Sequence, residues 1–423
     1  MSQIYLDYNA TTPLDPEVAE VIRPFLTSLF GNPSSIHEEG IKARKAVENS
    51  RSQLAALLHC HSDEIIFTSG GSEANNFAIK GIARGLRHKG NHIITTCIEH
   101  PAVTEVCRYL ETEGFNITWL PVDENGIVDP GVLEKAITPA TILVSVMHAN
   151  NETGSIQPIA EIGRITREKG IIFHTDAAQS VGKIRVDVNE MQIDLLSVAG
   201  HKLYAPKGVG ALYIHRGVKL EKLIHGADHE QNKRAGTENV MAVAGLGKAA
   251  EVAGLYLDRT TPVRELRDFL YQSILKELPG VKLNGHPEKR LPNTLNISFP
   301  GVEAALLLQA MPEIAASAGA ACHSGSEVIS PVLKAMGVKD EYAMGTVRFS
   351  LGRMSTRSEI ESAAAIIISA YRKLCDHKRD EFISDERIKL TRYTHSLGCA
   401  CKINPEWLTE ILAHMPQVTN PAV

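Results

Sequence analysis

The sequence predicts an α/β fold, with a large domain on a mostly parallel sheet and a smaller α+β domain after it. Two observations carry this. From about residue 15 to 255, short apolar runs at 64–67, 93–96, 142–147, 171–173, 195–198 and 211–214 alternate with longer amphipathic stretches. Buried strands separated by helical patterns need crossover connections, and those make a parallel sheet. In addition, the polar residues His100, Asn150-Asn151, Asp176 and His201-Lys202 fall just past the ends of these runs. Open α/β sheets bind ligands at that carboxyl edge.

The elements follow in order. The large domain spans 15–257. The smaller one takes residues 1–14 and 258–375: it opens near Arg259-Thr-Thr-Pro and continues with an amphipathic stretch at 263–278 and a strand at 293–298. A Gly/Ala-rich segment around 315–325, a strand at 346–350 and a last helix ending about Cys375 complete it. Residues 376–390 are highly charged, so 376–423 is expected to be an appended tail.

With 423 residues, 43% hydrophobic and 22% charged, the chain has the composition of a globular protein of two domains. A net charge of −5 with both signs interspersed provides no basic stripe for nucleic acid or anionic lipid. No run reaches ~18 uninterrupted apolar residues, and the amino terminus has no signal-peptide pattern, so no membrane role is expected and the reading is cytoplasmic. Seven scattered cysteines, an odd number, fit reduced thiols better than a disulfide framework.

The chemistry centres on Lys202, beside His201 in a Gly-rich turn after a strand, and on Asp176 in His174-Thr-Asp176-Ala-Ala-Gln179, 26 residues upstream. Pyridoxal phosphate needs an amine for its Schiff base and a carboxylate for its pyridine nitrogen, and these two residues supply the pair. A surface lysine and a helix-capping aspartate are the plain alternative. Thr68-Ser-Gly-Gly71-Ser72-Glu lies where a strand meets a helix, which suits either a phosphate cup or an ordinary N-cap. His100 at a neighbouring strand end is placed to stack on the ring and exchange protons, although a histidine there is more often structural. Arg348 sits inside an apolar strand, where an unpaired guanidinium is costly, so it calls for a carboxylate: the substrate's or a structural partner's. Cys322, among small residues in Ser317-Ala-Gly-Ala-Ala-Cys322-His-Ser-Gly-Ser, has little apolar bulk to bury it and suits an accessible nucleophile.

With these residues in this order, residues 1–375 resemble the cysteine desulfurases and selenocysteine lyases of the class V aminotransferase group, within the fold-type I pyridoxal 5'-phosphate enzymes. The motifs that carry the resemblance include Tyr5-Leu-Asp-Tyr-Asn-Ala-Thr-Thr-Pro, Phe30-Gly-Asn-Pro, Glu99-His-Pro-Ala, His148-Ala-Asn-Asn151-Glu-Thr-Gly, Gly200-His-Lys, Arg234-Ala-Gly-Thr237-Glu-Asn and Arg348-Phe-Ser-Leu-Gly-Arg. The resemblance implies a seven-stranded, mostly parallel sheet and a homodimer. It also assigns roles: Lys202 for the Schiff base, Asp176 for the pyridine nitrogen, Gln179 and Asn151 for the ring oxygen and His100 for ring stacking and acid–base work. Gly71, Ser72, His201 and the other subunit's Thr237 would hold the phosphate, Arg348 with Asn151 the substrate, and Cys322 the persulfide. The implied substrate is L-cysteine, L-selenocysteine or both, with a sulfur or selenium acceptor protein as partner, either a scaffold for iron–sulfur cluster assembly or selenophosphate synthetase. The extended cysteine segment, continuing Glu327-Val-Ile-Ser-Pro, matches the group whose cysteine loop is long and mobile.

Two departures stand out. Ala199 replaces a serine hydroxyl that usually helps hold the phosphate, a hydrogen bond worth about 1 kcal/mol. His225-Gly-Ala-Asp-His-Glu230 replaces a more glycine-rich His-Gly-Gly-Gly-Gln-Glu, which changes the expectation for that wall. Other readings are a class V aminotransferase, which has no need of Cys322, and a sulfur or selenium carrier with a decayed cofactor site.

The tail carries Lys389-Leu-Thr-Arg-Tyr-Thr-His395-Ser-Leu-Gly-Cys399-Ala-Cys401-Lys402, similar to the amino-terminal segment of selenophosphate synthetases. There the Gly-Cys-x-Cys-Lys run holds the catalytic cysteine and lysine, matching Cys399 and Lys402. A selenium relay through Cys399 or Cys401, a fusion remnant and a plain tail with two thiols are the readings open to it. A metal site of His395, Cys399 and Cys401 ranks lowest, because the paired Cys-x-x-Cys spacing is missing, and no metal is expected.

Overall fold

The computed structural model describes residues 3–257, 259–318, 321–323 and 326–381; at 321–323, 326–328 and 377–381 it describes the backbone alone. Cys399, Cys401, Lys402 and His395 lie outside the described residues. Seven strands form the central sheet: Ile65–Thr68 (β1), His92–Thr96 (β2), Asn116–Leu120 (β3), Thr141–Ser145 (β4), Ile172–Asp176 (β5), Leu195–Ala199 (β6) and Gly210–Ile214 (β7). Their order is β1-β7-β6-β5-β4-β2-β3, and β7 alone runs antiparallel to its neighbours.

Period-two alternation distributes each strand between two cores. Ile65, Phe67, Val144, Phe173 and Leu196 face one core, while Ile66, Leu143, Leu195 and Leu212 face the other. Helices cover both faces, as a parallel sheet requires: Glu38–Leu58, Ile159–Lys169 and Val240–Leu257 on the first side, Gly71–Gly85 and Pro101–Thr112 on the second. The edge strand β3 is half-exposed and alternates Asn-Ile-Thr-Trp-Leu, so it gave no continuous apolar run.

Helix Val240–Leu257 is, among the described residues, long and apolar enough to cross a membrane by length and composition. Its Ala242, Val243, Leu246, Ala249 and Ala253 side chains are buried in the first core, and Lys248 near its middle pairs with Glu251 and Glu17, which marks a core helix.

A third core lies over an antiparallel sheet ordered Ser317–Ala318, Thr346–Ser350, Thr294–Ser298, Lys282–Leu283. Leu270, Ile274, Phe299, Phe349, Ile360 and Ile367 fill it from this sheet and from helices Thr261–Glu277 and Arg357–Glu381. The amino-terminal strand Ile4–Tyr5 pairs in parallel with Ile314–Ala315, and Leu6 enters the same core. Two expectations are corrected here. The last helix runs to Glu381 instead of ending near Cys375, because Asp, Lys, Arg and Glu are compatible with a helix and neither Gly nor Pro stops it. The segment around Cys322, expected as a loop, contains a hairpin in which Ala321–His323 pairs antiparallel with Ser326–Val328 and Cys322 faces Glu327 in register.

Candidate active site

The carboxyl ends of β1, β2, β4, β5 and β6 open on a cavity of about 250 Å³. Its floor is a cradle between Gly71, the first residue of helix Gly71–Gly85, and Ala199, the last residue of β6. A Cβ on Gly71 would stand 3.2 Å from the Ala199 methyl, a tight approach that a side chain there could make only if Ala199 gave way by a few tenths of an ångström. Glu73 in the first helical turn holds this corner, accepting from Ser69 N at 2.8 Å and from Arg234 Nε at 2.9 Å. The bare N–H groups of the helix start, with Ser72 beside them, make an anion cradle.

Lys202 ends the 3-10 turn Gly200–Lys202 and lines the cavity. Burial lowers its ammonium pKa, an effect Arg348 strengthens and Asp176 opposes, so the amine is brought closer to its neutral, nucleophilic form. Asp176 is 6% exposed. Its Oδ2 accepts from Asn75 Nδ2 at 2.7 Å and its Oδ1 from Ala178 N at 2.9 Å, which locks the carboxylate in one orientation.

His100 does two things at once. Its Nδ1 accepts from Ala102 N at 3.1 Å, capping helix Pro101–Thr112, and the ring lines the cavity. Burial and the neighbouring Lys202 push its pKa down, favouring the neutral ring; with Nδ1 accepting, the proton sits on Nε2. Gln179 donates from Nε2 to Asn9 O at 2.9 Å and accepts from Lys183 Nζ at 2.8 Å. His201 contacts Thr11 Oγ1 through Nδ1 at 3.2 Å, and burial lowers its pKa to about 4. Arg348 reaches the cavity from the second sheet: Nη1 donates to Asn151 O at 2.9 Å, and Nη2 to Asp7 Oδ1 at 2.8 Å and to Ser317 Oγ at 3.0 Å.

Residues 4–362 match the Aminotransferase class-V family model. The chain is 50% identical over 384 residues to a cysteine desulfurase IscS of Dictyoglomus turgidum, covering 89% of this chain and 98% of that relative. The chain belongs to the aminotransferase class-V family, in its cysteine desulfurase branch. A solved NifS-like protein superposes with a TM-score of 0.82 at 35% identity, covering 88% of this chain and 99% of that one. A structure of SspA in complex with cysteine gives 0.73 at 37%, covering 82% and 98%.

Class V membership makes pyridoxal 5'-phosphate the cofactor, and the cavity fits it. An anion cradle, a lysine amine and a fixed carboxylate surround one space, and the buried Asn75 Oδ1 beside Asp176 has no partner. Of the residues the sequence singled out, Gly71, Ser72, His100, Asn151, Asp176, Gln179, His201, Lys202 and Arg348 all line this class V cavity. Thr237 is exposed and forms no part of the wall. The Cys322 side chain lies outside the described residues.

Of the two carboxylates open to Arg348, the structural one is present as Asp7, and the altered 225–230 segment does not line the cavity. Instead, Glu230 is buried in a bidentate pair with Arg51, 2.9 Å at both ends, and accepts from Phe67 N at 2.7 Å. Glu230, Gln231 and Asn232 hold left-handed φ values of 48°, 57° and 60°, a strained turn that this pair anchors.

Sequence reasoning gave no role to Asn9, Asn75, Lys183 and Asp7. Asn9 and Asp7 lie in the quoted amino-terminal motif, the only signal that pointed toward them. Lys183 carried no signal; burial pushes its pKa well down while its Nζ donates to Gln179 and Asn9.

Proposed function

We propose that the protein removes sulfur from L-cysteine, releases L-alanine, and keeps the sulfur as a persulfide on Cys322 for an acceptor protein. The observation that supports this most is the meeting of Lys202, Asp176, His100 and Arg348 around one cavity, with Arg348 register-paired to Ser317, five residues before Cys322. When bound, pyridoxal 5'-phosphate supplies an electron sink for charge developing at the substrate Cα.

The chain's own residues do the rest. The amino end of helix Gly71–Gly85, Ser72 and His201 would hold the phosphate, and Asp176, kept in place by Asn75, would face the pyridine nitrogen. Asn151 and Gln179 would meet the ring oxygen, with Gln179 turned by Lys183. Arg348 would bind the substrate carboxylate. Lys202, whose ammonium pKa burial lowers, removes the Cα proton, and His100 can pass a proton at Nε2. The Cys322 thiolate then attacks the substrate sulfur: an S–S bond forms, the Cβ–S bond breaks, and the carbon side takes up a proton on the way to alanine.

The same site suits L-selenocysteine, because a carbon–selenium bond is weaker and a selenol more acidic. The Gly-Cys-x-Cys-Lys motif at 398–402 supports a route by which selenium reaches a selenophosphate synthetase, alongside delivery of sulfur to a scaffold. A homodimer is supported by the exposed apolar side chains Leu26, Phe30, Ile36 and Ile41, and by Thr237, which is exposed and free to reach a second copy's cradle.

The test is alanine release from L-cysteine and from L-selenocysteine by the intact holoenzyme and by Cys322→Ala. Desulfurase chemistry predicts that cysteine turnover disappears in the variant while selenocysteine turnover persists. Undiminished cysteine turnover in Cys322→Ala would refute the persulfide role.

A further inference from the structure

Arg348 has five N–H protons, and a carboxylate can grip a guanidinium with two parallel bonds on only two faces: Nη1 with Nη2, or Nε with Nη2. Both faces need Nη2. Here Nη2 already donates to Asp7 Oδ1 at 2.8 Å and to Ser317 Oγ at 3.0 Å, while the buried Nε has no partner. The two occupants are themselves joined, because Ser317 Oγ donates to Asp7 Oδ1 at 2.8 Å. A bidentate grip by the substrate therefore competes at Nη2 with these two occupants.

The fold places the occupants where this exchange matters. Asp7 is bridged to Ser350, at the end of the strand that carries Arg348, and Ser317 is the register partner of Arg348 itself. Ser317 also begins the chain segment that leads to the strand bearing Cys322. Asp7 thus fixes the arginine in its strand and competes with the group that the arginine is there to bind.

Building on the desulfurase reading, we propose that Asp7 is a positioning residue that sets substrate affinity by occupying Nη2 of Arg348 in the free enzyme, with Ser317 as its hydrogen-bonded companion. The incoming α-carboxylate takes over one Nη2 proton from this pair. Free Arg348 is thereby kept oriented and charge-compensated, at the cost of weaker binding of every carboxylate-bearing amine.

The experiment uses the holoenzyme and two non-reacting probes: L-alanine, and ethylamine, which is alanine without its carboxylate. Affinities are read from the change in visible absorption on titration. Asp7→Asn keeps an acceptor at Oδ1 and removes the charge, so a charge-assisted hydrogen bond becomes a neutral one and L-alanine should bind about fivefold tighter. Ser317→Ala removes one Nη2 acceptor without altering charge and should tighten L-alanine by about twofold. Ethylamine affinity should stay put in both variants. In turnover, KM for L-cysteine falls in Asp7→Asn without a matching rise in kcat, the mark of uniform binding.

Unchanged or weaker L-alanine binding in both variants would overturn the proposal, as would an equal gain for ethylamine. Should Asp7→Asn fail to fold, Ser317→Ala still decides. If the wild-type holoenzyme forms no alanine from L-cysteine, the desulfurase reading fails instead, and the L-alanine titration continues to judge Asp7 independently.

Discussion

Glu99 is a fully buried carboxyl that carries a pH-dependent cost. Its Oε1 accepts from Thr96 Oγ1 at 2.7 Å and from Met147 N at 2.9 Å, while Oε2 has no partner. Burial is the main cause that raises its pKa from 4.5 to about 8; the two hydrogen bonds oppose this, and the nearby Asp176 adds to it. Between those two values the folded state keeps a proton that the unfolded state has lost, so stability falls as pH rises. Three and a half pH units at about 1.4 kcal/mol each give an upper bound of roughly 5 kcal/mol.

Glu99→Gln keeps an oxygen for Thr96 and Met147 and removes the titration. Its amide has no acceptor where Oε2 had none, which costs about 1 kcal/mol at every pH. The variant should therefore be slightly less stable than wild type near pH 5 and more stable near pH 8.5. With about 1–2 °C per kcal/mol, the difference in Tm should move by roughly 5–10 °C across the range. Thermal unfolding of both holoenzymes at matched cofactor saturation measures it. A Tm difference that stays constant from about pH 5 to about pH 9 refutes the reasoning, because the buried histidines, whose pKa values burial lowers to about 4, are common to both proteins and cancel.

Two further outcomes are expected. Glu230→Ala leaves Arg51, 5% exposed at its side chain, without its buried partner and should cost about 3–5 kcal/mol, seen as a lower apparent Tm, whereas Glu230→Gln should lose less. Ala199→Ser restores a hydroxyl to the cradle and should tighten pyridoxal 5'-phosphate by about fivefold, while Gly71→Ala, whose methyl meets Ala199 at 3.2 Å, should weaken it by tenfold or more; equilibrium dialysis of the cofactor reads both.

Lys202, Asp176 and His100 were legible in the sequence because each stands at the end of an apolar run, and the carboxyl edge of a parallel sheet turns that local position into a shared one. The last helix ran past its expected end because charge was read as a boundary, and charged residues do not break helices. Strand β3 escaped notice because an edge strand's alternating pattern is the weakest signal of its type.

Local chemistry by itself determined most of the elements and the residue types of the site, since periodicity, turn glycines and residue type act over a few positions. Tertiary structure alone decided who holds whom. Asn75 meets Asp176 across 101 residues, Glu230 meets Arg51 across 179, and Asp7 meets Arg348 across 341. No spacing in a sequence encodes such contacts, because they exist only once the sheet order has closed the chain between them.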